Sequence, residues 1–350
     1  MRGATSTRSS APWKKSSRIL TDRLSLPFEA GLAPPAGPAV VFDGTDVLLA
    51  PPFAADVLHV TGFRPAWDRI AAAGGRVALE APAGAAAIAI VCLLRDREAA
   101  RSRIAEALRA LAPGGWLLLD GQKTDGVDTM IRTLRKLLPV AGVAAKAHGK
   151  IAWIEHPGAL PPEIPAWAEA GRTRANADGL LTAPGMFSAA RVDPGTQLLI
   201  EHLPADAKGR AADLGAGWGA LGMALLARAP GLESCDLIEA EHAAAEAARA
   251  NVTDPRARVH WADATAWTGG PYDLIVSNPP FHVSRAADPS LGQAFIAAAP
   301  RLLTPRGRLL LVANRQLPYE RTLDAHFRKR EILVADSRYK ILAADQPRRG

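Results

Sequence analysis

One helix-to-strand layout occurs twice in this chain, and that doubling restricts its fold more than any other feature. Leu111-Ala112-Pro113-Gly114-Gly115 runs into Trp116-Leu117-Leu118-Leu119, and Leu303-Thr304-Pro305-Arg306-Gly307 runs into Arg308-Leu309-Leu310-Leu311. Both predict a helix that ends in a Pro/Gly turn, followed by a buried strand. The match extends to Gly149-Lys150-Ile151-Ala152 and Tyr339-Lys340-Ile341-Leu342, and upstream to apolar strands at 88–93 and 274–277. Two copies of one α/β unit are expected, and 350 residues suit two domains of about 150–200 residues each. Between them, residues 156–165 hold four prolines in ten positions, which argues against helix and sheet there. The expected boundaries are a basic flexible tail at 1–25, a first domain at 26–157, a Pro-rich linker at 158–183 and a second domain at 184–345.

Composition excludes several classes. At 48% hydrophobic and 22% charged, the chain has enough apolar surface to offset its conformational entropy. The most apolar stretches, 81–94 and 308–313, are far shorter than the ~20 residues of a membrane span, so no membrane role is expected. Two cysteines, Cys92 and Cys235, build neither a disulfide framework nor a Cys-rich zinc site, and are read as buried thiols in a reducing cytoplasm. Of the net charge of +7, +5 lies in the first 23 residues, which are Ser-rich and lack the apolar run of a secretory signal. That tail reads as an unstructured extension. The basic excess is compatible with a nucleic-acid partner without demonstrating one.

The two copies differ where chemistry would sit. The second is read as helix 196–203, strand 209–214, a tight loop at 215–219, helix 220–229, strand 234–238, helix 242–251, strand 258–261, strand 272–276, helix 291–303, strand 308–312 and a closing hairpin at 332–342. Strands alternating with helices make a doubly wound, mostly parallel sheet that binds ligand at the carboxyl ends of its strands. The first copy opens with Val40-Val41-Phe42-Asp43-Gly44, which has no glycine-rich loop. Ligand chemistry is therefore expected in the second copy, with the first as scaffold or binding surface.

Gly215, Gly217 and Gly219 follow a strand and open a helix, where glycine lets backbone pass close under a ligand and helix N–H groups lie free. Glu239 ends the next strand, where a carboxylate accepts from both hydroxyls of a ribose. Asp263 ends the third, where it either accepts from an adenine amino group or N-caps a helix in the following segment. These features fit a nicotinamide enzyme and an S-adenosylmethionine enzyme alike. The fourth strand separates them, because it ends in Asn278-Pro279-Pro280-Phe281. Two prolines fix the backbone and remove N–H donors. An amino group on a planar base needs two acceptors, and the Asn278 side-chain oxygen and the Pro279 carbonyl can supply them, with Phe281 stacking on the base. A dehydrogenase has no use for such a motif. No metal is implied, since neither Cys-x-x-Cys nor His-Glu-x-x-His occurs.

At these residues the chain resembles the class I S-adenosylmethionine-dependent methyltransferases that act on planar amino nitrogens. More closely it resembles the bacterial 16S ribosomal RNA guanine-N2 methyltransferases of the RsmC type. The motifs carrying this are Pro184-Gly185-Met186-Phe187-Ser188, Val192-Asp193-Pro194-Gly195-Thr196-Gln197-Leu198-Leu199, Ala212-Asp213-Leu214-Gly215-Ala216-Gly217-Trp218-Gly219, residues 277–282 and Val312-Ala313-Asn314-Arg315-Gln316-Leu317-Pro318-Tyr319. Gly121-Gln122-Lys123-Thr124-Asp125-Gly126-Val127 also resembles that family's first domain.

The resemblance implies two tandem Rossmann-like domains, the first degenerate and the second catalytic. It implies that Asp213, Gly215, Gly217 and Gly219 cradle the methionine part of S-adenosylmethionine, that Glu239 holds the ribose and Asp263 the adenine, and that Phe187, Ser188, Asp193 and Thr196 line the cofactor or base entrance. Asn278, Pro279, Pro280 and Phe281 would orient the guanine, and S-adenosylhomocysteine would be the product. The implied partner is ribosomal RNA, free or in an assembled 30S subunit, with the enzyme a cytoplasmic monomer. Trp218 departs from the pattern as a bulky residue inside the glycine loop. Guanine-N2 methylation of 23S RNA, adenine-N6 methylation of DNA and glutamine methylation of protein share the four-residue motif. A non-catalytic RNA-binding protein is the remaining alternative. Arg95, Arg97, Arg101, Arg103 and Arg109 suggest that the first domain docks substrate, against the plainer reading of a solvated helical face.

Overall fold

The computed structural model describes residues 23–33, 36–45, 56–280 and 289–348. All but the last three residues of the expected tail, and Phe281 of the four-residue motif, lie outside them. The first sheet comprises β1 (Ala39–Phe42), β2 (Val57–Val60), β3 (Arg76–Ala78), β4 (Ala86–Cys92), β5 (Leu111–Gln122), β6 (Val140–Lys146) and β7 (Gly149–Glu155). A short hairpin, β8 (Arg174–Ala175) and β9 (Leu181–Thr182), follows. The second sheet comprises β10 (Gly209–Leu214), β11 (Leu232–Glu239), β12 (Ala257–Trp261), β13 (Tyr272–Ser277), β14 (Leu303–Asn314), β15 (Phe327–Ala335) and β16 (Tyr339–Pro347).

The two sheets have one topology. The strand orders are β3-β2-β1-β4-β5-β7-β6 and β12-β11-β10-β13-β14-β16-β15, five parallel strands closed by an antiparallel pair in each. Central strands read as continuous apolar runs because helices cover both faces, as in Ile88-Ala89-Ile90-Val91 and Leu309-Leu310-Leu311-Val312, all buried.

The repeated Pro/Gly segment behaves alike in both copies. Helix Arg97–Ala110 passes directly into β5, and Ser290–Leu302 directly into β14. The expected turn is instead a bulge inside the strand: Ala86 pairs with Leu111 but Ile88 with Trp116, and Tyr272 pairs with Leu303 but Leu274 with Arg308. A Cβ on Gly307 would stand 2.7 Å from the Tyr272 carbonyl oxygen, so the return from the bulge needs glycine. A lysine bridge also recurs, Lys150 to Asp128 at 2.5 Å and Lys340 to Glu320 at 2.6 Å.

The Pro-rich stretch is more structured than expected. Its prolines start the helix Glu163–Ala170 rather than prevent one, because a proline in the first turn forfeits only an N–H that has no helical partner. Ile164 of that helix joins the core of the first domain, and Arg101 lies over the Trp167 ring at 5.2 Å.

The domains meet along a short antiparallel seam. Arg64 N donates to the Ala240 carbonyl at 2.8 Å and His242 N to the Gly62 carbonyl at 2.9 Å, around the bridge Phe63–Glu241. Counted from the shared bulge, Gly62, Phe63 and Arg64 correspond to Ala240, Glu241 and His242, so the seam is two-fold symmetric between the copies.

Candidate active site

The site residues converge on the carboxyl ends of β10, β11, β12 and β13. Gly215, Gly217 and Gly219 all have positive φ, at 76°, 56° and 96°. At Gly219 a Cβ would also lie 2.6 Å from Val252, so the turn into helix Ala220–Arg228 admits no side chain. Above Gly217 there is open space. Trp218 turns to the other side of the loop. It is 4% exposed, packs with Leu180, Met186 and Val192, and donates its indole N–H to the Phe187 carbonyl at 3.0 Å. The bulky residue therefore ties the 184–188 loop to the glycine loop rather than blocking it.

Asp213 is 1% exposed beneath this loop, and neither carboxylate oxygen meets hydrogen-bond geometry with any described group. Burial lifts its pKa to about 7, with the Gly222 backbone N–H opposing the rise and the nearby Glu239 charge adding to it. Glu239 is half-buried and accepts from Gly217 N and Glu241 N, both at 2.7 Å. Burial raises its pKa too, against those backbone donors. Glu241, exposed at the bridge to Phe63, has its pKa raised to about 7 by desolvation and by Glu239 and Asp43.

Asp263 closes an Asx turn, one oxygen accepting from Thr265 N at 2.8 Å and from the Thr265 hydroxyl at 2.7 Å. An open cleft of about 540 Å³ beside β12 is lined by Asp263, Trp261, Trp267, His260, Arg249 and Arg64 among others, and does not include Asp213, Glu239 or Asn278.

Asn278 and Pro279 directly follow β13, next to β10, where buried Ser277 donates to the Leu214 carbonyl at 2.7 Å. Pro279 is buried and Pro280 exposed. The Asn278 amide nitrogen donates to the Thr196 hydroxyl at 2.8 Å and to Asp193 Oδ2 at 3.3 Å. Asp193 and Thr196, expected at the entrance, are therefore held against Asn278. Phe187 is 55% exposed and Ser188 sits in the left-handed region at φ 50°, both on the loop above. Sequence reasoning missed Asn251, whose amide donates to the carbonyls of Leu181 and Trp218, each at 2.9 Å, and staples the hairpin to the glycine loop. Only its place at the end of helix His242–Asn251 hinted at a role.

Registering the sheets on their shared bulge places Val41, Thr61, Ala81 and Cys92 of the first domain where the second has Asp213, Glu239, Asp263 and Asn278. Two of the arginines considered for docking are engaged internally: Arg103 pairs with Asp43 and Glu106, and Arg101 lies over Trp167. Arg95, Arg97 and Arg109 are exposed. Among the described residues there is no cluster of three or more metal-ligating side chains, and no helix long and apolar enough to cross a membrane.

Comparison with known proteins agrees with this geometry. Residues 178–343 match the family model described as Methyltransferase small domain. The Ribosomal RNA small subunit methyltransferase C of Hahella chejuensis is 34% identical over 236 residues, 65% of this chain and 68% of that protein. Its counterpart in Shewanella oneidensis is 31% identical over 242 residues, 67% of this chain and 70% of the other. The chain belongs to the ribosomal RNA small subunit methyltransferase C family. A solved structure described as the T. thermophilus 16S rRNA N2 G1207 methyltransferase (RsmC) in complex with AdoMet and guanosine superposes with a TM-score of 0.75. It is 27% identical and covers 90% of both chains, so the likeness includes both Rossmann-like domains of the family member described here.

Proposed function

We propose that this protein transfers a methyl group from S-adenosylmethionine to the exocyclic N2 of a guanine in 16S ribosomal RNA, releasing S-adenosylhomocysteine. The observation that carries the reading is the placement of Asn278-Pro279 at the end of β13, next to the strand that leads into the glycine loop over Asp213. The residues fit the donor: the two buried carboxylate oxygens of Asp213 meet no described group in full hydrogen-bond geometry, with only the Gly222 N–H close by, and the methionine ammonium would satisfy them below the open space at Gly217. Gly215, Gly217 and Gly219 pass under the methionine moiety, Glu239 accepts from the ribose hydroxyls and the free oxygen of Asp263 accepts from the adenine. When bound, the donor supplies a methyl carbon on a sulfonium, already a good leaving group.

The chain's own contribution is positioning. Asn278 Oδ1 and the Pro279 carbonyl accept from the two hydrogens of the guanine amino group, fix the nitrogen lone pair and stabilise positive charge as it develops there. Holding reactants in near-attack geometry is worth ~7–11 kcal/mol. No base is required before attack. Phe281 and the exposed Phe187 ring would stack on the extruded base, and the turning-out of that base costs a few kcal/mol.

The first domain (26–157), lacking the four site side chains, binds no cofactor on this reading and presents Arg95, Arg97 and Arg109 to RNA. The enzyme acts as a monomer in the cytoplasm, in keeping with two free thiols, and without metal. Tritium transfer to naked 16S RNA, assembled 30S subunits, 23S RNA and DNA tests the assignment, followed by mass mapping of the methylated nucleotide. Label in 16S RNA at guanine N2 is expected. Label confined to 23S RNA or DNA would overturn the substrate, and calorimetry without S-adenosylmethionine binding would overturn the class.

A further inference from the structure

The second function-bearing layer of this site is the pair of side chains behind Asn278. An asparagine amide can present either its oxygen or its NH2 to a ligand, and the two orientations select opposite chemistry. We propose that Asp193 and Thr196 are positioning residues that lock the Asn278 amide with its oxygen toward the substrate, and that this lock makes the site select an amine over a carbonyl. The proposal rests on the reading of Asn278 as the acceptor of the guanine amino group.

The Asn278 amide nitrogen donates to two acceptors, the Thr196 hydroxyl at 2.8 Å and Asp193 Oδ2 at 3.3 Å. Only Oδ1 is left to meet a ligand. Thr196 alone would not fix the orientation, because a hydroxyl can donate as well as accept. Asp193 decides it, since an ionised carboxylate only accepts, and a flipped amide would set oxygen against oxygen. Asp193 is itself held: Oδ2 accepts from Thr196 N at 3.0 Å as the N-cap of helix Pro194–Glu201. The helix start leaves room for that carboxylate only because residue 195 is glycine. A Cβ there would lie 2.9 Å from Asp193 Oδ2 and 3.0 Å from the Tyr339 ring. Thr196 is 7% exposed, so water competes poorly for its hydroxyl. The chain of bonds also polarises the amide, leaving Oδ1 more negative where the transition state gains positive charge.

Two measurements test the lock. In steady-state kinetics on 16S RNA, Asp193→Asn keeps a competent cap but lets the amide turn. It should lower kcat by on the order of 10²-fold with the KM for S-adenosylmethionine within about twofold. Thr196→Val should lower kcat by about tenfold, and Thr196→Ser should restore it, which separates positioning from a folding defect. Raised KM for the donor at unchanged kcat would make these residues cofactor contacts and overturn the proposal. The second measurement needs no turnover. Side-chain amide NMR on protein labelled only at its four asparagines, with Asn278→Asp to assign the signal, should find slowly exchanging Asn278 amide protons that become fast in Asp193→Asn. Fast exchange in the wild type would overturn the lock. If wild-type protein methylates no RNA yet its Asn278 protons exchange slowly, the assigned reaction fails and the lock stands.

Discussion

In the second domain the ring of Phe295 lies under Gly215; at the same two positions of the first domain stand Arg103 and Asp43, joined by an ion pair of 2.7 Å. In the first domain, therefore, paired charges occupy the place over which the second passes a bare glycine. The same contrast runs along the strand ends, where Asp213, Glu239, Asp263 and Asn278 face Val41, Thr61, Ala81 and Cys92. The strands behind them barely differ in kind: buried aliphatic runs, the same order, the same bulge. Core positions are bound to one another by packing and change little without cost. Residues at strand ends carry no core, so they can gain or lose chemistry while the fold persists.

The largest break in that contrast is expected from Asn278→Ala. Removing one of the two proposed acceptors for the amino group should cost on the order of 10³ in kcat, about 4 kcal/mol, while calorimetry finds donor affinity within about twofold of wild type. Wild-type turnover in this variant would leave the two domains chemically equivalent at β4 and β13.

Transplanting the other way should destabilise without conferring function. Val41 is 1% exposed in the first sheet, where Val41→Asp buries a carboxylate with no glycine loop above it. A loss of about 3 kcal/mol or more in urea unfolding is expected, with no second donor site by calorimetry. A second binding event would mean that the first domain lacks only its carboxylate.

Asp213→Asn sharpens the comparison through pH. The Asp213 pKa of about 7 lies above the unfolded carboxyl value, so the folded chain retains a proton that the unfolded chain releases. The sign follows: stability of the ligand-free protein falls as pH rises from about 4 to about 7 and levels off above. Asp213→Asn should reduce that slope and gain about 2 kcal/mol at pH 8, net of a buried amide. Glu239 and Glu241, whose pKa values burial also raises, leave a residual slope. Donor affinity of the wild type should rise as pH passes 7 and Asp213 ionises, whereas the variant should bind weakly at every pH.

Much of this was readable before any coordinates. Doubling, the alternation of strands with helices and the place of the glycine loop follow from apolar runs and their punctuation, which local sequence encodes directly. What escaped was the behaviour of residues whose partners are distant in sequence. The bonds from Asn278 to Asp193 and Thr196 span 85 and 82 positions, so no local pattern reveals them. Trp218 read only as a bulky departure inside the glycine loop, because no local pattern tells which side of a loop an indole takes. The prolines at 157–165 read as a break, although Pro162 at the N-cap and Pro165 in the first turn of Glu163–Ala170 mark a helix start.

The smallest expected effect concerns the seam that joins the two copies. Trp261 donates its indole N–H to the Gly62 and Ala240 carbonyls at 3.0 and 2.9 Å, and Trp67 meets it edge-on with ring centroids 5.1 Å apart. Trp67→Leu removes that aromatic contact but leaves the backbone pair from Arg64 and His242 in place. A loss of about 0.5–1.5 kcal/mol in thermal unfolding is expected, with one transition retained and donor affinity within about twofold. The backbone pair matters more for the site, because Glu241 N, in the middle of the seam, also holds the Glu239 carboxylate. If Trp67→Leu instead weakened donor binding tenfold, the ring contact rather than the backbone pair would be what carries the first domain's support to Glu239.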